Sequence, residues 1–310
     1  MLLTLTLNPC LDRKLVVPHF DMNDVNRARV LREKIGGKGI NVSRMAKKLG
    51  AETRCLGFDF GGKVSEALEK EELSHQMYKI QGALRSCMKI LDESRGHTVE
   101  INEIGSSVSE KEEKALFALL LDCASRADFI TLSGSLPEGL SPDFYAHVIE
   151  FLQKNAPTCR VALDTSGTAL KRGLEASPYL IKPNFYEFQS ILGETADDLP
   201  TLAAGCNAIR QKHGIAVVCL SLGARGAIFS AKEGAYYAPA PKIPVKGETG
   251  AGDALLAGVL VALLNGSDGA TALRQGIHCA AATVAGAGPD APDMSLYRQL
   301  SATDPVPVRL

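Results

Sequence analysis

Basic residues are not in surplus in this chain. Its 34 lysines and arginines stand against 35 aspartates and glutamates, a formal net charge of −1. A nucleic-acid-binding surface needs a basic excess on one face, so the balance argues against that class of partner. There is no polybasic tail or charge block of the kind that marks a membrane surface. Long hydrophobic runs are missing as well. The longest, residues 254–264 with one glycine, is too short to span a bilayer. The eight cysteines include no C-x-x-C pair, and no Cys/His spacing suggests zinc. Several lie in apolar runs such as VVCLSLG and HCAAATV, and they read as buried thiols kept reduced. The opening MLLTLTLNPC lacks the positive start of a signal peptide and reads as a strand. These absences predict a cytoplasmic protein with no nucleic-acid or membrane partner. There is no internal repeat and no low-complexity segment.

What remains is an ordinary soluble composition on 310 residues, enough to bury a substantial core in one large α/β domain or two smaller ones. Short apolar runs alternate with helical patterns. LLTLTL, TRCLGF, DFITLSGSL, RVALDTSG, YLIKPN, AVVCLSLG and GAIFSA read as strands. VSRMAKKLG, VSEALEKEEL, EKEEKALFALLLDCASRA, PDFYAHVIEFLQKN, FYEFQSIL and LAAGCNAIRQKHG read as helices. That alternation predicts a doubly wound, mainly parallel sheet with helices on both faces. Ligands in such sheets bind beyond the carboxyl ends of the strands. The loops SGSLP, DTSG, KPN and SLG fall there. Two β-rich stretches break the rhythm, at about 13–35 and 86–104 (CMKILDES, HTVEINEI), and are expected to pair as a small antiparallel sheet projecting from the main body. The tail after Pro289 reads as loop plus one short helix.

The segment richest in chemistry is Gly247-Glu248-Thr249-Gly250-Ala251-Gly252-Asp253, which runs into ALLAGVLVALLNG. Glycines here permit a tight turn and close approach of backbone to a ligand. A helix beginning there offers unpaired N–H groups and the positive end of its dipole to an anion. Asp253 is either a cap on a buried helix or a general base beside that anion cradle. Cradle plus base points to phosphoryl transfer to a hydroxyl. A second glycine-rich segment, Gly36-Gly37-Lys38-Gly39-Ile40-Asn41-Val42, sets a charge and an amide where a polyol could meet them. Lys182-Pro183-Asn184 with Glu187 reads both as a helix cap and as a carboxylate and amide able to hold the water shell of Mg²⁺. The stretch GFDFGGKV at 57–64 almost spells a P-loop, but Val64 stands where a metal-binding Ser or Thr is needed.

The GGKGINV and TGAGD segments, with TLNP and Asp12, SGSLP, KPN with Glu187, and Ser221-Leu222-Gly223 between them in order, resemble the PfkB (ribokinase-like) carbohydrate kinases over nearly the whole chain. TLNP, GGKGINV and SGSLP are most similar to the branch acting on phosphorylated hexoses, the 1-phosphofructokinases and tagatose-6-phosphate kinases.

The resemblance implies a single ribokinase-like domain over 1–310 with a β-sheet lid, ATP and Mg²⁺ as cofactors, a monovalent cation beside them, and a homodimer formed through the lid. It implies Asp253 as the base and the N–H groups of Gly250, Ala251 and Gly252 as the anion hole. It assigns Asp12, Gly37, Lys38 and Asn41 to the sugar, Arg27 and Arg85 to its existing phosphate, and Ser133 to a further hydroxyl contact. It assigns Lys182, Asn184, Ser221, Gly223 and Thr249 to the nucleotide phosphates and ribose, Ile277 and Ala281 to adenine, and Glu187 with Asn184 to the metal through water. The chain departs from the branch at Gly247-Glu248-Thr249, where Ser-Thr-Val is usual, and at Ala83-Leu84-Arg85, where an acidic residue and Thr precede the Arg. The implied reaction is ATP plus fructose 1-phosphate to ADP plus fructose 1,6-bisphosphate. Tagatose 6-phosphate is the close alternative acceptor. A catalytically inactive sugar-phosphate-binding protein on the same fold and a nucleoside-kinase-like enzyme are the readings from other classes. Asp253 with its glycines opposes the first, and Arg27, Lys38 and Arg85 oppose the second.

Overall fold

The computed structural model describes residues 1–193, 197–303 and 307–310. The chain opens with β1 (Leu2–Thr6), makes a first excursion as β2 (Cys10–Val17) and β3 (Arg29–Gly36), and returns through α1 (Lys38–Lys48), β4 (Thr53–Phe60), α2 (Lys63–Lys70) and β5 (His75–Ile80). A second excursion gives β6 (Arg85–Asp92) and β7 (His97–Asn102). There follow α3 (Glu110–Ala124), β8 (Phe129–Ser133), α4 (Phe144–Asn155), β9 (Arg160–Asp164), α5 (Gly167–Glu175), β10 (Leu180–Ile181), α6 (Phe185–Leu192) and α7 (Leu199–His213). The last part is β11 (Val217–Ser221), β12 (Ala227–Ala231), β13 (Gly234–Ala238), α8 (Ala251–Leu264), α9 (Gly269–Ala285), α10 (Met294–Thr303) and β14 (Val308–Arg309).

Ten strands form one sheet in the order β14-β13-β12-β11-β10-β9-β8-β1-β4-β5. From β11 to β5 every neighbouring pair is parallel. Apart from the edge strand β5, these strands are buried and mostly apolar, as a sheet covered on both faces requires. Leu116, Tyr145, Leu170, Phe188 and Leu202 of α3 to α7 pack on one face. Val42 and Met45 of α1 pack on the other with the apolar surfaces of α8 and α9. Helix α8 is buried from Asp253 through Ala262, which explains why its apolar residues run all round rather than along one stripe.

The alternation of apolar runs anticipates this core, and the edge past β11 departs from it. β12, β13 and β14 are antiparallel. The connections from β11 to β12 and from β12 to β13 are too short for the crossover that a parallel pair needs. β5, β13, β14 and α5 have no counterpart in the sequence reading, and YLIKPN contributes only two strand residues. The tail carries the expected short helix as α10, while residues 304–306 of its TDPVPV segment lie outside the described residues.

The two β-rich stretches do pair, as a four-stranded sheet in the order β3-β2-β6-β7. It is mixed and not antiparallel as expected: β2 and β6 run parallel from Cys10 opposite Arg85 to Val17 opposite Asp92. Both strands leave the main sheet at its carboxyl edge, β2 after β1 and β6 after β5, so they enter the lid side by side in the same direction. β3 and β7 flank them antiparallel.

Candidate active site

The carboxyl ends of the parallel strands meet the amino end of α8. In register across β1, β8 and β9 lie Thr6, Ser133 and Asp164. Each carries a buried polar atom with no partner among the described residues: Thr6 Oγ1, Ser133 Oγ and Asp164 Oδ2. Buried polar groups are ordinarily paired, so a row of unpaired ones at a strand edge marks a surface built to meet something polar.

Two lysines converge on the other oxygen of Asp164. Lys38, the first residue of α1, reaches Oδ1 at 3.0 Å, and Lys182, just past β10, at 3.3 Å. Burial alone would raise the Asp164 pKa, but the adjacent Lys182 and Lys38 ammonium groups hold it below the ordinary range. Asp164 in turn raises that of Lys38.

Asp253 lies in the first turn of α8, 7% exposed, and its Oδ2 accepts a 2.8 Å hydrogen bond from Asn41 Nδ2. Burial and the nearby Asp164 charge push its pKa up to about 6, against the pull of Lys38, Asn41 and Lys182. Asn41 is oriented from behind, because Arg44 Nη1 donates to its Oδ1 at 2.9 Å while the rest of that guanidinium grips Glu71 at 2.8 Å on both oxygens. A carboxylate that is mostly ionised at neutral pH yet retains proton affinity suits a general base.

Gly250 caps α8 at φ +81°, and a Cβ there would lie 2.8 Å from the Pro289 ring. Gly37 precedes α1 at φ +143°, with Thr6 Cγ2 2.6 Å from where a Cβ would sit. Both positions therefore need glycine. Among the described residues the amides of Gly250, Gly252 and Asp253 have no acceptor, and no side chain caps the helix. The Ala251 N–H is turned to the Glu248 carbonyl at 3.2 Å, so the free amides differ by one residue from the expected set. A Cβ at Gly252 would lie 3.3 Å from Lys182 Nζ, which brings a cation beside those amides.

Above this floor a cleft is lined by Asp12, Lys14, Arg32, Lys34 and Lys89 of the lid and by Asn41, Arg44 and Thr249 of the main body. Arg32 and Lys34 both pair with Asp290, Lys34 at 3.0 Å, and Lys34 also meets Glu71 at 3.4 Å. Burial and the neighbouring Arg44 lower the Lys34 pKa to about 8. Burial raises that of Asp12.

A pfkB family carbohydrate kinase model matches residues 5–295. The chain belongs to the PfkB family of carbohydrate kinases. Such enzymes are phosphotransferases with an alcohol acceptor and use ATP with a divalent cation. Among solved structures, phosphofructokinase-2 from Escherichia coli in complex with substrates and products is similar at TM-score 0.90 and 23% identity, covering 97% of this chain and 98% of that one. The same protein in complex with potassium gives TM-score 0.87 and 22% identity over 97% and 99%. A possible 1-phosphofructokinase from Thermotoga maritima gives TM-score 0.85 and 24% identity over 100% and 99%. At these identities the likeness establishes the shared ribokinase-like fold.

In this kinase Asp12, Asn41 and Thr249 line the cleft, while Lys38, Lys182 and Ser133 meet at Asp164, Asp253 is bonded to Asn41, and Gly37 packs on Thr6. Thr249 lines it beside Asp12 of the lid and Arg44 of the main body. Asn184 and Glu187 form a reciprocal capping box on α6, Glu187 Oε2 accepting from the Asn184 amide at 2.8 Å and Asn184 Oδ1 from the Glu187 amide at 2.9 Å. Ser221 Oγ donates to the Pro183 carbonyl at 3.3 Å, and Gly223 turns at φ +59°. Ile277 and Ala281 are each 6% exposed on α9. Arg85 is spent on backbone: its guanidinium donates to the carbonyls of Asn8 and Glu103. Arg27 is exposed in the loop between β2 and β3, about 20 Å along the strand from the lid root, and is not brought to the cleft of its own chain. The GFDFGGKV stretch is no phosphate site, since Asp59 already accepts from the Val64 and Ser65 amides that open α2.

Sequence reasoning missed Asp164, Arg44 and the lid cations Arg32, Lys34 and Lys89. The strand-end position of Asp164 in DTSG was the available signal, and nothing local distinguished the others.

Proposed function

We propose that this chain phosphorylates a ketohexose phosphate, fructose 1-phosphate in the first place, with MgATP as donor. The observation that carries the reading is the cleft itself. A base with a pKa of about 6 stands at a helix terminus with free amides, and Lys14, Arg32, Lys34, Lys89 and Arg44 line the space beyond it. A neutral sugar does not need five cations; an acceptor already bearing phosphate does. MgATP supplies the phosphoryl group.

The chain's own residues do the rest. Asp12 and Asn41 accept and donate to the sugar hydroxyls, and Asn41 holds the Asp253 carboxylate toward the attacking one. As the new O–P bond forms and the phosphoryl group parts from ADP, Asp253 would take the hydroxyl proton, while the free amides of α8 and the ammonium of Lys182 would meet the charge spread over the transferring group. The nucleotide group fits this floor, because those amides and the unpaired oxygens beside them await polar partners. The Asn184–Glu187 pair suits the metal, since Glu187 uses one oxygen in the capping box and keeps the other for bound water. Exposed Val30, Leu31 and Ile101 on the lid support a homodimer formed there, which light scattering at micromolar concentration would report as twice the chain mass.

The test is ADP release measured with fructose 1-phosphate, fructose 6-phosphate, tagatose 6-phosphate, fructose and ribose. Phosphorylated ketohexoses should exceed their parents by a large factor in kcat/KM, with fructose 1-phosphate first. Preference for free fructose or ribose would remove the assignment to phosphorylated acceptors. Preference for tagatose 6-phosphate would move it to the neighbouring activity.

A further inference from the structure

One cluster at the lid root is unused by that chemistry. The parallel register of β2 and β6 sets Asp12 opposite Cys87, with Cys10 two residues before Asp12 on the same face. The ligand atoms of Cys10, Asp12 and Cys87 all lie within 4.8 Å of one another. The Cys10 thiol already donates to Asp12 Oδ1 at 3.3 Å. Around a tetrahedral zinc with its usual bond lengths, two thiolate sulfurs sit about 3.8 Å apart. The cluster therefore needs to close by about 1 Å at most to match those bond lengths.

We propose that Cys10, Asp12 and Cys87 bind a soft divalent cation, zinc in the first place, at the edge of the sugar cleft. Two sulfurs and one carboxylate oxygen make three ligands, and the fourth position opens to the cleft, which Asp12 and Cys87 both line. The donor set suits zinc and is wrong for magnesium, so the metal of the nucleotide does not compete for it. The electrostatics also fit. Three anionic ligands around a dication carry one net negative charge, and Arg44, Arg85 and Lys89 act on Asp12 from nearby. The sequence gives no hint of this site, because β3, α1, β4, α2 and β5 separate the strands of Cys10 and Cys87, which meet only through the lid register. Zinc on Asp12 occupies a group that the sugar needs, so zinc and acceptor exclude each other. That last step rests on the proposed place of Asp12 in the sugar site; the binding of the metal does not.

The test uses the whole chain, reduced and stripped of metal, with cobalt(II) alone as the probe. The expected result is a sulfur-to-cobalt charge-transfer band with intense tetrahedral visible bands, both abolished by stoichiometric zinc. Cys10→Ser and Cys87→Ser should each lose the charge-transfer band, and Cys159→Ser, remote from the lid, should keep it. Absence of the band in the unaltered chain overturns the proposal whatever the variants do, and so does a band that survives in both folded serine variants. In turnover assays zinc should raise KM for the sugar phosphate and leave kcat unchanged at saturating sugar. If cobalt binds with the expected spectrum but zinc does not compete with sugar, the metal site stands and the assignment of Asp12 to the sugar falls.

Discussion

The carboxyl edge of the ten-stranded sheet and the inner face of the lid meet across one cleft, and they are built in opposite ways. The edge offers few groups, buried except for the partly exposed Lys38 and held by one another: Asp164 between Lys38 and Lys182, and Asp253 against Asn41, which is fixed through Arg44 to Glu71. The lid offers many cations, partly exposed and bridged to surface acids: Arg13 to Glu33, Lys89 to Glu100, and Arg32 with Lys34 to Asp290. Bond making needs positions held to a fraction of an ångström, which buried mutual contacts supply. Holding a charged substrate needs long-range attraction that tolerates movement, which exposed cations supply. On the proposed function, kcat should depend on the sheet edge and KM on the lid, and that division can be broken.

The largest effect is expected at Asp253. Asp253→Asn should lower kcat by about 10²–10⁴-fold or more while nucleotide binding survives, read by ADP release and by titration with ATP. In the unaltered enzyme kcat/KM should rise with pH through about 6, since the base works only when ionised. Near-normal turnover of the variant, or a flat profile across that range, would detach the base from this position.

Asp164→Asn comes next. It leaves Lys38 and Lys182 facing each other without their carboxylate, and removing one member of a buried pair costs about 3–5 kcal/mol. Chemical denaturation should show that loss above pH 4 and less of it in acid. Asp164 has a depressed pKa, so its contribution is present above the unfolded value and vanishes as pH falls through the folded one. Equal destabilisation at all pH values would mean the pair is not what holds this edge.

On the lid the effects should be smaller and of another kind. Lys34→Ala and Lys89→Ala should each raise KM for the sugar phosphate roughly tenfold, about 1.4 kcal/mol, with little change in kcat and with a dependence on salt that buried positions lack. Arg85→Ala should instead loosen the lid root, read as faster amide exchange in β2 and β6, because its carbonyl contacts tie β6 to the loop after β1. A fall in kcat without change in KM would place the two lysines on the chemical side of the division.

The smallest effect inverts the first. Burial raises the Asp253 pKa, so its ionised form strains the native state, and that strain grows as pH rises from the unfolded value to about 6. Asp253→Asn should therefore raise Tm by a few degrees at pH 8, and the difference should close below pH 4. An inactive variant that is also less stable at pH 8 would show the Asn41 contact outweighing burial.

The same division governs what could be read from the sequence. Asp253, Lys38 and Asn41 lie within local signatures, because a glycine turn and a helix start are set by a few adjacent residues. The parallel core was legible from alternating apolar runs for the same reason. Asp164 was not, since an acidic strand end looks like any turn residue until Lys38 and Lys182 are brought to it from distant parts of the chain. Period-two alternation marked the lid segments as strands but carries no information on partner or direction. The pairing of β2 with β6, and with it the gathering of the cations, is decided by where β1 and β5 leave the main sheet.

That pairing sets an order of assembly. β2 cannot dock on β6 until the intervening α1, β4, α2 and β5 have closed a long loop, and contacts across long loops form late. During refolding the amides of Cys10–Val17 should gain protection from hydrogen exchange after those of β1 and β4. In the native state they should open first, carrying the cation-rich face away as a unit while the catalytic edge stays folded.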